Sequence, residues 1–168
     1  LVGINTIYSN EVIITMHRRE NHPLIVEWFT ELNDIAKANR ELSFVIPIHP
    51  NPNVRRHRKL LTHVEVIEPL DYEQMIKRIS KCKFLISDSG GIQEESSFLN
   101  KKVIVCRKWT ERTESVGTHS IMCEDPKKLK SVFNFVKKNY MIDAPSPYGD
   151  GKASEKILQI LLGVCNEI

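Results

Sequence analysis

Phe84-Leu-Ile-Ser-Asp-Ser-Gly-Gly-Ile-Gln-Glu-Glu-Ser96 joins a short apolar run to a helical pattern through two adjacent glycines. Gly90 and Gly91 let a ligand come close to the backbone, and a helix N-terminus supplies unpaired N–H groups and a partial positive charge. Such a turn outlines a phosphate or pyrophosphate site. Glu94 and Glu95, one turn further on, offer carboxylates that can accept hydrogen bonds from a ribose. The plainer alternative is a strand, a Gly-Gly turn and a capped helix beginning at Ile92. No Gly-Lys-Ser/Thr follows and no G-x-G-x-x-G spacing is present, which excludes a Walker A loop and the dinucleotide fingerprint.

Two further clusters carry charge suited to phosphate. His17-Arg18-Arg19-Glu20 sets an imidazole and two guanidiniums side by side, and the guanidinium fork matches phosphate oxygens. Trp109-Thr-Glu-Arg112 offers another cation. Each alone also fits a solvated loop. His22, His49, His57, His63 and His119 carry no metal-ligand spacing, and no G-x-S-x-G elbow is present.

The elements that must position these clusters alternate along the chain. β-Branched or apolar runs at Val12–Thr15, Phe44–Ile48, Val64–Ile67, Phe84–Ile86, Val103–Cys106 and Ile121–Cys123 read as strands. Pro47 moves the second of them toward a sheet edge or a strand end. Helical spacing recurs at Leu24, Ile25, Trp28, Leu32, Ile35 and Ala36, with Pro23 suited to the first turn. It recurs again over a basic stretch from Val54 to Leu61, at Tyr72, Met75, Ile76 and Ile79, and at Leu129, Val132, Phe133 and Val136. A last helix carries Ile157, Leu158, Leu161 and Leu162. Alternation across short loops predicts an α/β fold, a doubly wound parallel sheet of the Rossmann-like kind, as a single domain over 1–168. Ligands on such sheets bind at the carboxyl ends of the strands, and the polar clusters follow strands there.

Composition narrows the classes. Hydrophobic residues make up 41% and charged residues 27%, as in a soluble globular domain. A net charge of +3 is too small to argue for nucleic acid. No apolar run approaches the roughly 20 residues that span a bilayer. Cys82, Cys106, Cys123 and Cys165 form no C-x-x-C pair. Cys82 and Cys106 fall in or beside apolar runs and read as buried free thiols, which fits a reducing, cytoplasmic setting. The abrupt apolar start at Leu1 suggests a piece of a longer protein.

Taken together, His17-Arg-Arg-Glu-Asn21, His49-Pro-Asn-Pro52, Ser87-Asp-Ser-Gly-Gly-Ile-Gln-Glu-Glu95, Thr110-Glu-Arg112 and Pro147-Tyr-Gly-Asp-Gly151 resemble the non-hydrolysing UDP-N-acetylglucosamine 2-epimerases, in order and along nearly the whole chain. The resemblance implies the C-terminal, UDP-binding half of a two-domain fold of the GT-B type, with a missing N-terminal domain across the cleft. It implies interconversion of UDP-N-acetylglucosamine and UDP-N-acetylmannosamine by elimination of UDP to 2-acetamidoglucal and its re-addition. It also implies no cofactor or metal, a homodimer, and UDP or a UDP-N-acetylhexosamine as ligand. Ser89, Gly90 and Gly91 match positions that hold the pyrophosphate, Glu95 the ribose, and Leu70 and Met75 the uracil. Met75 stands where relatives often carry an aromatic. Arg112 and His17 match positions near the phosphates, with His17 as the catalytic candidate. Arg18, Glu20 and His49 match positions of an allosteric UDP-sugar site in some bacterial members.

The acids that move the C2 proton in that family belong to its other half. The resemblance therefore implies a fragment that holds UDP and is inactive alone. The alternatives are a GT-B glycosyltransferase, a non-catalytic UDP-sugar module, and a hydrolysing relative that releases UDP and the free sugar.

Overall fold

A computed structural model describes residues 7–163. The sheet has six parallel strands: β1 (Glu11–Thr15), β2 (Ser43–Pro47), β3 (Glu65–Ile67), β4 (Phe84–Ser87), β5 (Val103–Val105) and β6 (Ser120–Met122). Their order is β3-β2-β1-β4-β5-β6. The direction of winding reverses between β1 and β4, which pair in register from Val12↔Phe84 to Thr15↔Ser87. A crevice opens at the carboxyl ends of the strands flanking such a reversal.

Side-chain alternation explains why both faces are covered. Val12, Ile14, Phe84, Ile86 and Ile104 turn to one face and pack with Trp28, Phe29, Leu32 and Phe133. Those residues come from α1 (Ile25–Ala38) and α5 (Leu129–Lys138). Ile13, Leu85, Val103 and Val105 turn to the other face and meet Ile79 and Ile92, from α3 (Tyr72–Ile79) and α4 (Gly90–Phe98). Successive strand residues point to opposite faces, so one run of apolar residues feeds both cores.

Several expectations shift in detail. Pro47 stands at a strand end, the last position of β2, although β2 itself lies inside the sheet, and the β1–β2 pairing stops before it at Ile13↔Val45. The chain after β1 forms a 3-10 turn over Arg19–Leu24 that contains Pro23, so α1 begins at Ile25. The basic stretch is not one helix: α2 (Pro52–Arg55) stops and a 3-10 turn, Arg58–Leu60, follows. Of the expected apolar stripe on α3, Ile79 alone is fully buried, and Tyr72 is 70% exposed. That helix is held instead by a capping box between Asp71 and Gln74 and by a two-pronged Arg78–Glu11 pair at 2.7 and 2.8 Å.

The helix after β4 begins at Gly90 rather than Ile92, with Ser89 at its N-cap. Both glycines are helical and neither has a positive φ. Its inner face is mostly polar, with Gln93, Ser96 and Ser97 buried beside Gly90 and Ile92. At the other end Asn100 takes a left-handed φ of 53°. Bonds Lys101 N–H to Ser96 O (2.8 Å) and Asn100 N–H to Ser97 O (3.2 Å) complete a Schellman stop.

Cys82, Cys106 and Cys123 are buried thiols, and burial pushes Cys82 up to about 12. Cys165 lies outside the described residues. The final helix, α6 (Ala153–Leu161), leaves Ile157, Leu158, Ile160 and Leu161 more than half exposed. Among the described residues no helix is long and apolar enough to cross a membrane, and no group of His, Cys, Asp and Glu could hold a metal ion.

Candidate functional site

The crevice predicted by the strand order is a cavity of about 330 Å³. Each strand from β1 to β4 delivers part of its wall. Thr15 ends β1 and His17 follows it, and Pro47 ends β2 and His49 follows it. Pro69, Leu70, Asp71, Tyr72 and Met75 follow β3, and Ser89, Gly91, Ile92 and Glu95 follow β4. Of the residues expected from sequence, His17, His49, Leu70, Met75, Ser89, Gly91 and Glu95 meet here.

Ser89 makes no side-chain cap on α4, so the first N–H groups of that helix keep their anion-binding capacity. Gly91 sits at this open end: an added Cβ would meet only Ser89 Oγ, at 4.0 Å. Ser89 N–H is held by Ser87 Oγ at 3.0 Å, and Ser87 Oγ lies 2.6 Å from Thr15 Oγ1. The turn is therefore braced from beneath. Glu95 lies one turn along the same helix, and burial, followed by the nearby Glu94 charge, raises its carboxyl above the ordinary range.

The structure gives a role to a residue that sequence reading passed over. Asp88, between β4 and α4, is fully buried. Its Oδ2 accepts from His17 N–H (2.9 Å), Arg18 N–H (2.8 Å) and Asn21 Nδ2 (3.1 Å). Asn21 donates also to Cys106 O at 2.9 Å. One carboxylate thus ties the loop after β1 to the turn after β4. His17 stacks on His49 with ring centroids 5.0 Å apart. Burial lowers the His17 pKa below its usual value; Asp88 opposes that shift, while His49, Arg18 and His22 add to it.

Arg112 and the loop after β5 occupy a different corner. The guanidinium lies against Gly90, where an added Cβ would stand 3.1 Å from Arg112 Cζ. The close approach explains why this position lacks a side chain. Arg112 Nε donates to Glu94 Oε1 at 2.6 Å, and Nη1 pairs with Glu111. Arg107, buried, joins Glu111 (2.8 Å) to Glu20 (2.9 Å), and Arg18 reaches Glu111 at 3.6 Å. Arg18, Glu20 and Arg112 therefore belong to this ion-pair chain, Gly90 packs beneath it, and none of the four lines the cavity. Thr110 Oγ1 fastens the loop to α4 by donating to Gln93 Oε1 at 2.9 Å. No lysine or arginine is among the cavity's lining residues. Positive potential there comes from the α4 N-terminus and from His17 when it is protonated.

The sequence profile of UDP-N-acetylglucosamine 2-epimerases matches residues 4–162. A UDP-N-acetylglucosamine 2-epimerase of Campylobacter jejuni is 38% identical over 169 residues, covering 90% of this chain and 43% of its own length. The crystal structure of UDP-GlcNAc 2-epimerase from Neisseria meningitidis bound to UDP-GlcNAc superposes with a TM-score of 0.83 at 38% identity, over 92% of this chain and 45% of the other. The S. aureus MnaA–UDP structure gives 0.82 at 34%, over 94% and 47%. An E. coli heptosyltransferase, WaaC, shares the fold alone, at a TM-score of 0.58 and 17% identity. The chain spans less than half the length of these relatives and matches their C-terminal part. With a sequence profile matched from residue 4 to residue 162 and a fold that superposes over nine-tenths of the chain, the chain belongs to the UDP-N-acetylglucosamine 2-epimerase family.

Proposed function

We propose that this chain is the UDP-holding half of an isomerase that interconverts UDP-N-acetylglucosamine and UDP-N-acetylmannosamine. One observation carries the reading most directly. His17, Leu70, Met75, Ser89, Gly91 and Glu95 line one cavity at the winding reversal, beside an uncapped helix N-terminus. The free N–H groups of Gly90, Gly91 and Ile92 suit a diphosphate. Glu95, one turn down the helix, suits the vicinal hydroxyls of a ribose. Leu70 and Met75 close the far wall for the base.

In the elimination, the C2–H bond breaks toward a base while the C1–O bond breaks toward UDP, leaving 2-acetamidoglucal. Return of a proton to the opposite face of C2, with UDP oxygen adding to C1, gives the epimer. The residues of this chain bind UDP throughout and stabilise the charge that grows on its terminal phosphate, with His17 nearest that role. The proton-transfer groups are assigned to the other domain of the full-length enzyme. In this half Glu94 is engaged by Arg112 and does not line the cavity, whereas Glu95 does. The proposed assembly is a homodimer of the two-domain protein in the cytoplasm.

Calorimetric titration with UDP tests the reading. Binding with Kd in the range of about 1 μM to 1 mM is expected, weakened in Glu95→Ala. A folded chain with no affinity for UDP overturns it. With the full-length enzyme, NMR should show UDP-N-acetylmannosamine as product; free sugar with stoichiometric UDP indicates a hydrolysing enzyme instead.

A further inference from the structure

We infer that Asp88 is a positioning residue for His17: Oδ2 anchors the loop that carries the histidine, and Oδ1 holds the ring proton on Nδ1, leaving Nε2 for the ligand. The inference rests on the proposed UDP site for the meaning of that ligand, and on geometry alone for the pairing.

Three donors converge on Oδ2, two of them backbone N–H groups of His17 and Arg18. Oδ1 is buried and has no hydrogen-bond partner. A buried carboxylate oxygen without a partner is costly and is rarely left so without a purpose. The group it faces is His17 Nδ1, at 3.8 Å. That is an ion-pair distance, longer than a hydrogen bond, and such bonds commonly tighten when a ligand fills the site. Three contacts place His17: its backbone N–H donates to Oδ2, its ring Nδ1 stands 3.8 Å from Oδ1, and one ring face stacks on His49.

The pairing has a chemical consequence. A neutral ring with its proton on Nδ1 presents a lone pair at Nε2, which a phosphate oxygen repels. A bound diphosphate therefore draws a proton from solvent onto Nε2, and the buried Asp88 charge balances the imidazolium. The ring is then ready to donate to the departing phosphate oxygen. Burial first, and then the nearby His49, Arg18 and His22, oppose charging of this imidazole, and the Asp88 carboxylate is the group that counters them.

The test is 15N NMR of the histidine rings in the 168-residue chain, with His17 assigned by its loss in His17→Gln. Wild type should show His17 as the Nδ1–H tautomer when neutral. Asp88→Asn should shift the ring toward Nε2–H and lower its pKa. A dominant Nε2–H tautomer in wild type overturns the inference, whether or not the variant folds. An unchanged His17 spectrum in a folded Asp88→Asn chain overturns it equally. UDP added to wild type separates the two readings. An Nδ1–H tautomer that does not respond to UDP leaves the Asp88 pairing in place and removes the proposed ligand. In the full-length enzyme, Asp88→Asn should lower kcat about tenfold or more, with a smaller change in KM, and shift the acidic limb of the pH profile.

Discussion

His17 and Arg112 flank the same pair of glycines and have opposite fates. His17 lines the cavity on the Gly91 side, steadied by one buried carboxylate and still exposed over a third of its side chain. Arg112 lies against Gly90, and its guanidinium is taken up by Glu94 and Glu111. Both are basic residues in loops that follow strands, and the family resemblance places both near phosphate. The difference teaches that a cation is defined by its counter-ions more than by its place in a motif. A guanidinium with two carboxylates acts as a brace between loops until an anion outbids them.

Four experiments break or sharpen that contrast. The largest effect is expected from Asp88→Ala, which leaves two backbone N–H groups and Asn21 without their acceptor. Stability should fall by about 3 kcal/mol in denaturant titration, and a change below measurement error would mean that the His17 loop is held by something else. Next, Glu95→Ala should weaken UDP about tenfold or more, the worth of a hydrogen bond to a charged group. Equal affinity in calorimetry would move the ribose elsewhere.

The third experiment is a pH series. Burial lowers the pKa of His17 and of the fully buried His119 below 6.5 in the folded chain. The unfolded chain then binds more protons between the folded value and 6.5, so stability rises with pH through that window and is lost on acidification. His17→Gln should flatten part of the slope and leave the part due to His119. An unaltered slope would deny His17 its share. The smallest effect is expected from Arg112→Gln, less than about threefold in UDP affinity, because its guanidinium is engaged by Glu94 and Glu111 and does not line the cavity. A loss as large as that of Glu95→Ala would show that Arg112 leaves Glu94 and Glu111 for the phosphates, and the two corners would then act alike.

How far these corners could be read in advance differs in the same way. The strands and their parallel, doubly wound arrangement were legible, because β-branched runs between turn residues, alternating with helices, mark buried parallel strands. The cavity walls followed, since a parallel sheet collects its loops at one edge. Asp88 was not legible. Its partners are backbone N–H groups some seventy positions away, and a carboxylate in Ser-Asp-Ser-Gly-Gly looks like turn polarity. The engagement of Arg112 by Glu94 spans eighteen positions and is equally silent in local pattern. Glycine is a poor helix former, so local pattern starts α4 at Ile92, two residues after its actual start at Gly90. Packing overrode that propensity, since at Gly90 the space is filled by Arg112.

The polar inner face of α4 carries one more consequence, in how this domain tolerates substitution. α1 docks through Trp28, Phe29 and Leu32, and such contacts accept exchanges among residues of similar volume. α4 docks through Gln93, whose Oε1 meets Thr110, with the Ser96 and Ser97 hydroxyls turned back onto Gln93 O. Directed bonds admit fewer replacements than shape does. A library spread over both helices should therefore retain folded, varied sequences along α1 and a nearly fixed one along α4. The part of the domain with the least freedom to drift would be the segment that aims helix N–H groups into the cavity.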